Sequence, residues 1–236
     1  MTCPPAYCNA LSPNAADHLY WLGRYVERVY TTLGFIRRAN NARLDGDVDA
    51  MPKCFLRLGI YYDPEITSCD EMLHQYIYDG SIYGSLRHSL ESAYDNSVVL
   101  RSTLKSESLS YIHLCRAALD TCEEGGHKSL VSLQPLLDYT LAFWGSVSER
   151  IFAASALKIL MIGKYVEYLD LHMRFEYPHA RNVEAWDDLE QLLLSMKTEA
   201  VHQEDLSLLQ AFFAPNNAQK AYTPEILTAL NRVFMV

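Results

Sequence analysis

The sequence predicts an all-α fold, a bundle of roughly eight to ten helices with two related long ones. Three observations carry that expectation. Leu19, Leu22, Val26, Val29, Leu33 and Ile36 recur at steps of 3, 4, 3, 4 and 3, the stripe of one helix face. Helix start signals punctuate the chain at Ser12-Pro13, Ser68/Glu71, Ser146/Glu149 and Thr223-Pro224-Glu225. Glycine (10) and proline (9) are sparse, and short alternating strand patterns are lacking.

Taken in order, the first helix opens with Ser12 as cap and Pro13 at N1, where its missing N–H costs nothing. A second starts at the Ser68/Glu71 capping box and reaches about Tyr78. A long helix is expected from Ser81 to about Leu104, and Ser106 starts another that Gly125-Gly126 ends. His127 to Phe143 reads as helix, kinked by Pro135. The Ser146/Glu149 box opens a long helix to about Phe175. Asn182 and Asp205 are read as starts of later helices, and Thr223-Pro224-Glu225 as the start of the last. Ala214 to Tyr222 is the clearest linker. One helical domain is expected over 1–236, with a motif-bearing core at 11–175 and a C-terminal extension at 182–236.

Composition narrows function by exclusion. Among 236 residues, 20 Lys and Arg face 29 Asp and Glu, a net charge of −9, which argues against nucleic acid or an anionic membrane surface as partner. The first ten residues show no basic n-region and no apolar h-region, and no apolar run approaches a membrane span, so a cytoplasmic location is expected. The six cysteines form no C-x-x-C pair and read as buried or idle thiols. His113, Cys115, Cys122 and His127 fit no standard zinc spacing. A di-iron bundle wants two E-x-x-H pairs inside helices plus two further glutamates; Glu71–His74 and Glu176–His179 are such pairs, but Pro178 inside the second marks a helix end and spoils its geometry. No metal or cofactor is assigned. A phosphate loop and a G-x-S-x-G elbow are both missing.

The sequence echoes itself. Leu22-Gly23-Arg24-Tyr25-Val26-Glu27-Arg28 returns 140 positions later as Ile162-Gly163-Lys164-Tyr165-Val166-Glu167-Tyr168. Gly, Tyr, Val and Glu repeat, and Lys164 matches Arg24. A duplicated pair of long helices, packed about an approximate twofold through their glycines, explains the match. On the first helix Asp17, Tyr20, Arg24, Glu27, Arg28 and Thr31 lie opposite the apolar stripe, with Trp21 and Phe35 among them. Aromatics on that face imply that it too is covered, so its charges form a buried network. Arg24 and Glu27 can pair at i,i+3. The network either fixes helix register or presents two planar arginine forks to a carboxylate or phosphate. Glu167 needs a cation, and Arg101 is the candidate, with Asn96 nearby. Tyr20, Tyr25 and Tyr165 are candidate cleft walls, and His18 and His88 candidate acid–base groups.

These residues resemble a known family. Leu11-Ser12 followed by Leu19-Tyr20-Trp21-Leu22-Gly23-Arg24-Tyr25-Val26-Glu27-Arg28 is similar to the opening of the alpha-E family, a bacterial helical domain named for its glutamate–arginine motif. Ser81-Ile82, Ser85-Leu86, Asp95-Asn96, Arg101, Leu104 and Ser106-Glu107 resemble its middle segment, and residues 163–168 fall where it carries a second Glu-Arg. The resemblance covers 11 to about 175. Three positions depart from it: Tyr168 stands in place of the second motif's arginine, Val98 in place of another arginine and Leu109 in place of a tryptophan.

The resemblance implies company. Family members accompany, or are fused to, circularly permuted ATP-grasp proteins, often with transglutaminase-like peptidases. The implied role is an accessory or binding component of a system that makes or modifies peptide or amide bonds, with an ATP-grasp-type ligase or related peptide-processing protein as partner and a peptide as substrate. Two alternatives stand beside it: an enzyme acting on an acyl or amide group through Arg24, Glu27, Arg28 and Glu167, and a helical interaction module, open to homo-oligomerisation, without a small-molecule site. The sequence does not decide between catalysis and binding. The candidate site residues are Tyr20, Arg24, Glu27, Arg28, Asn96, Arg101, Lys164 and Glu167.

Overall fold

In the computed structural model, which describes residues 11–126, 129–151, 153–214 and 222–235, the first helix forms as its sequence dictates. Ser12 accepts from the Ala15 N–H at 3.2 Å, Pro13 occupies the first turn, and α1 runs Pro13–Leu44. A short α2, Ala50–Arg57, carries none of the capping signals and was not foreseen. The Ser68/Glu71 box opens α3, Cys69–Tyr78, with both reciprocal hydrogen bonds made.

The expected long helix from Ser81 to Leu104 is broken instead. Asp79 Oδ1 accepts from both the backbone and the hydroxyl of Ser81 (2.8 and 2.6 Å), folding the segment into a turn, and Gly84 takes φ +78°. Ser85 then caps α4, Leu86–Val99, accepting from the His88 N–H at 3.0 Å. The chain bends at Leu100 into α5, Arg101–Glu124. Lys105, at φ 64°, interrupts α5 just before Ser106, so a start at Ser106 was correctly read but inside one longer element. Gly125 ends it.

A 3-10 turn at Leu130–Leu133 leads into α6, Gln134–Arg150. Pro135 sits in its first turn, where no hydrogen bond is lost, so it starts the helix and does not kink it. The Ser146/Glu149 box does not form: Ser146 lies inside α6 and shares a 2.8 Å hydrogen bond with Ser108, and α7, Ala154–Arg174, opens without a side-chain cap. Asn182 is not a cap either. α8, His179–Leu194, begins after Pro178, and the buried Asn182 amide donates to Tyr222. His202 caps α9, Gln203–Phe213, where Asp205 was expected to, and Asp205 is taken up by Arg232. Thr223 caps α10, Pro224–Arg232, as read. Most of the linker from 214 to 222 lies outside the described residues. Among the described residues the ten helices are joined by no strand, only by a single antiparallel bridge between Val201 and Phe234.

The centre of the molecule is the α1–α7 pair, with α4 packed on α1 and α8 on α7. A methyl group at Gly23 would lie 2.1 Å from the Leu160 carbonyl oxygen, and one at Gly163 would lie 2.1 Å from the Tyr20 carbonyl oxygen. The relation is reciprocal at the same spacing, since Tyr20 and Leu160 are also 140 apart. Only glycine at both positions lets these backbones touch. Three turns further on, Phe35 stacks on Phe175, another pair at that spacing, with ring centroids 3.8 Å apart and planes 9° off parallel. The two helices therefore run side by side in the same direction about an approximate twofold. Leu19, Leu22, Leu33 and Ile36 of the stripe are fully buried, each such side chain worth about 1.5–3 kcal/mol on removal from water. The opposite face is covered as well: Tyr20, Arg24, Glu27 and Thr31 are buried, and only Asp17 is exposed.

Candidate functional site

The twofold brings each motif glutamate against the cationic positions of the other helix, and the two halves it creates are unlike. In the first half, Glu167, fully buried, takes Arg24 Nε on Oε2 at 2.8 Å and Arg28 Nε on Oε1 at 2.5 Å. Arg24 and Arg28 are four apart and share one stripe of α1, so one carboxylate on α7 meets both. Arg24 Nη2 donates to the side-chain oxygen of Asn231 on α10 at 2.7 Å, and the Asn231 side-chain amide donates on to Asp170 at 2.8 Å. The guanidinium carbon of Arg24 lies 5.3 Å from the Trp21 ring centroid and 5.9 Å from that of Tyr20. Burial alone would push both arginines down, but Glu167 and its hydrogen bonds outweigh it and hold them above their ordinary values. Both therefore stay charged in a sealed setting, which is tolerable because each charge has a partner.

The second half is Glu27 with Lys164 and Tyr168, the counterparts of Glu167, Arg24 and Arg28. It opens to solvent as a cleft of about 310 Å³ bounded by all three, with Tyr30, Trp144 and Tyr165 as walls and Arg181, Glu184 and Asp188 of α8 along the rim. Glu27 is 2% exposed and accepts from the Thr31 hydroxyl at 2.7 Å. Burial pushes its carboxyl up, while Lys164, Thr31 and the Trp144 indole draw it back and Glu167 adds to the rise. Lys164 makes no ion pair with a described residue. Its ammonium lies 4.7 Å from the Trp144 ring and 5.8 Å from the Tyr165 ring. The buried Trp144 indole N–H lies near the Glu27 carboxylate without completing a full hydrogen bond to it. Tyr165 donates to Asp188 at 2.8 Å; burial first, then this bond, raises its phenol above the ordinary value. Tyr168 stacks on His172, centroids 3.7 Å apart. His172 is itself depressed to about 4 by burial, so it is neutral.

Several expectations are corrected by this geometry. Arg24 and Glu27 do not pair along α1: Arg24 is taken by Glu167 and Asn231 and Glu27 by Thr31, so each serves its own half. Arg101 is exposed at the start of α5 and plays no part in holding Glu167, because the bend at Leu100 carries it outward. Asn96 stays on α4 and meets His18 at 2.5 Å. Lys164 and Glu167 belong to opposite halves. Cys115 and Cys122 give their thiols to the Leu136 and Ser132 carbonyls, and His127 lies outside the described residues. Among the described residues no group of three or more His, Cys, Asp or Glu is placed to hold a metal.

Trp144, Tyr30, Asp170 and Asn231 were not picked out from the sequence. Asp170 and Tyr30 could have been, since they are each other's counterparts at the 140 spacing. Trp144 and Asn231 lie on α6 and α10, which carry no echo.

A larger cavity of about 670 Å³ lies between the end of α1, α3 and residues 129–133. Its cations are already engaged, Arg37 on Gln134 and Arg43 on Asp70.

A helical molecule built on two glycine-crossed helices, each with a Glu one turn on, matches a family model described as a predicted alpha-helical domain with a conserved ER motif, over residues 11–211. The chain belongs to this family, Alpha-E. No curated protein and no solved structure matches it. No helix among the described residues is long and apolar enough to cross a membrane.

Proposed function

We propose that this chain is an accessory, ligand-binding component of an ATP-grasp-associated system that makes or modifies peptide or amide bonds in the bacterial cytoplasm, working beside the ligase or a related peptide-processing protein. The observation that carries the binding role is the open half: a charged, aromatic-walled cleft whose described lining includes no serine, threonine or cysteine. The buried thiols of Cys54 and Cys115 are pushed up to about 12, away from nucleophilic thiolates, and neither lines the cleft. A cleft of this kind is suited to holding a group. The ATP-grasp partnership is supported by family membership and by what the resemblance implies.

One observation favours the second reading, an enzyme in its own right. The raised Glu27 carboxyl, close to Lys164 in an open cleft, is suited to proton transfer nearer neutral pH than an ordinary glutamate.

The test is amide formation by an ATP-grasp ligase of the kind the family resemblance implies, taken from the same source and measured with and without this chain. The expected result is co-purification of the two proteins and a ligase rate that depends on the chain and falls with Glu27→Gln. Equal ligase activity with and without the chain overturns the accessory role. Product formation by the chain alone selects the enzyme reading.

A further inference from the structure

We propose that the open half is a binding site for a guanidinium group, supplied by an arginine-type ligand that takes the place Arg28 occupies in the sealed half. The inference rests on the reading of this cleft as the binding site and names what it binds.

The molecule contains its own template. Glu167 and Glu27 are related by the approximate twofold that the reciprocal Gly23 and Gly163 contacts and the Phe35–Phe175 stack define. Glu167 has each carboxylate oxygen on an arginine Nε. Glu27 has one oxygen on the Thr31 hydroxyl and no arginine at all. Position 168, which would mirror Arg28, is a tyrosine whose ring stacks on His172. The cleft is bounded by Glu27, Lys164 and Tyr168 together, so the space opens where the second cation of the pair is lacking. A volume of about 310 Å³ is at the small end of ligand pockets, the size of one long side chain and not of a nucleotide.

The surroundings favour a planar cation. Tyr30, Trp144, Tyr165 and Tyr168 line the cleft, and aromatic rings attract guanidinium groups. Three carboxylates, Glu27, Glu184 and Asp188, outnumber the two cations Lys164 and Arg181, so the cleft is one positive charge short of balance. Lys164 does not forbid a second cation, because the sealed half already seats two on one carboxylate.

Tyr168→Arg supplies the lacking group from within and is the sharpest control. Calorimetric titration of the full chain with agmatine should show saturable one-to-one binding. Glu27→Gln and Tyr168→Arg should each weaken it at least tenfold while their melting temperatures stay at or above that of the native chain. Sodium butyrate, matched in length but anionic, should not bind. N-acetyl-arginine amide and an Ac-Gly-Arg-Gly-amide peptide then separate the sources: preference for the first marks a free small molecule, preference for the second a side chain within a peptide. The proposal is overturned by lack of saturable agmatine binding, by agmatine binding equally to Tyr168→Arg, or by binding that appears only in Arg181→Ala, which would give the place to the chain's own arginine. These titrations use the chain alone, so their outcome is independent of any effect on a ligase.

Discussion

Glu27 and Glu167 have the same sequence neighbours and opposite fates. Glu167 is neutralised by two arginines inside the fold, whereas Glu27 is buried on one hydroxyl and a more distant ammonium. The consequence for stability has a definite sign. A carboxyl raised above its ordinary value of 4.5 binds more protons when folded than when unfolded, so its contribution is present in acid and is lost as pH rises above 4.5. Melting temperatures of the native chain and Glu27→Gln should therefore coincide near pH 4 and diverge above it, the variant becoming the more stable. A variant that is instead progressively less stable towards neutral pH would mean that the Glu27 carboxylate is a structural anchor. The identity of these residues was legible in the sequence through the echo, but their pairing was not. An i,i+3 pair along one helix is the natural reading of Arg24 and Glu27 when the face is wet. It fails here because a helix covered on every side offers each residue a different neighbour, and only the partner helix decides which.

At the scale of helices, the stripe on α1 and the caps at Ser12, Ser68 and Thr223 were readable because they are local chemistry. The break at Gly84, the positive φ at Lys105 and the half-buried Ser146 were not, because an Asx turn and interhelical contacts overrode local propensity. The glycine crossing is the device that the echo foretold. Gly23→Ala and Gly163→Ala each place a methyl group 2.1 Å from a backbone carbonyl oxygen, which the side chains cannot relieve by turning. Each should cost about 3 kcal/mol or more. The double variant should cost clearly less than the sum, because one separation of α1 from α7 accommodates both. Gly34→Ala, where nothing lies within 4 Å, should be neutral or gain about 0.5–1 kcal/mol. Denaturant unfolding of the four proteins checks this, and full additivity of the first two would deny a shared crossing.

In the molecule as a whole, two helices related by an approximate twofold share their glycines and glutamates and differ in their cations. One half became a sealed ionic joint, closed further by Asn231 from beyond the residues that match the family model, and the other an aromatic cleft. That the chain is helical throughout its core follows from pattern alone. Which half is open does not, because the answer lies in one departure, Tyr168, and in Trp144 on a helix with no motif. The structure of the Tyr168→Arg variant tests this account most directly. The account predicts that the new guanidinium at position 168 will donate to the Glu27 carboxylate as Arg28 does to Glu167 at 2.5 Å, filling the cleft between Trp144 and Tyr30. A guanidinium turned to solvent, with Glu27 still bonded to Thr31 alone and the cleft unchanged, would contradict it.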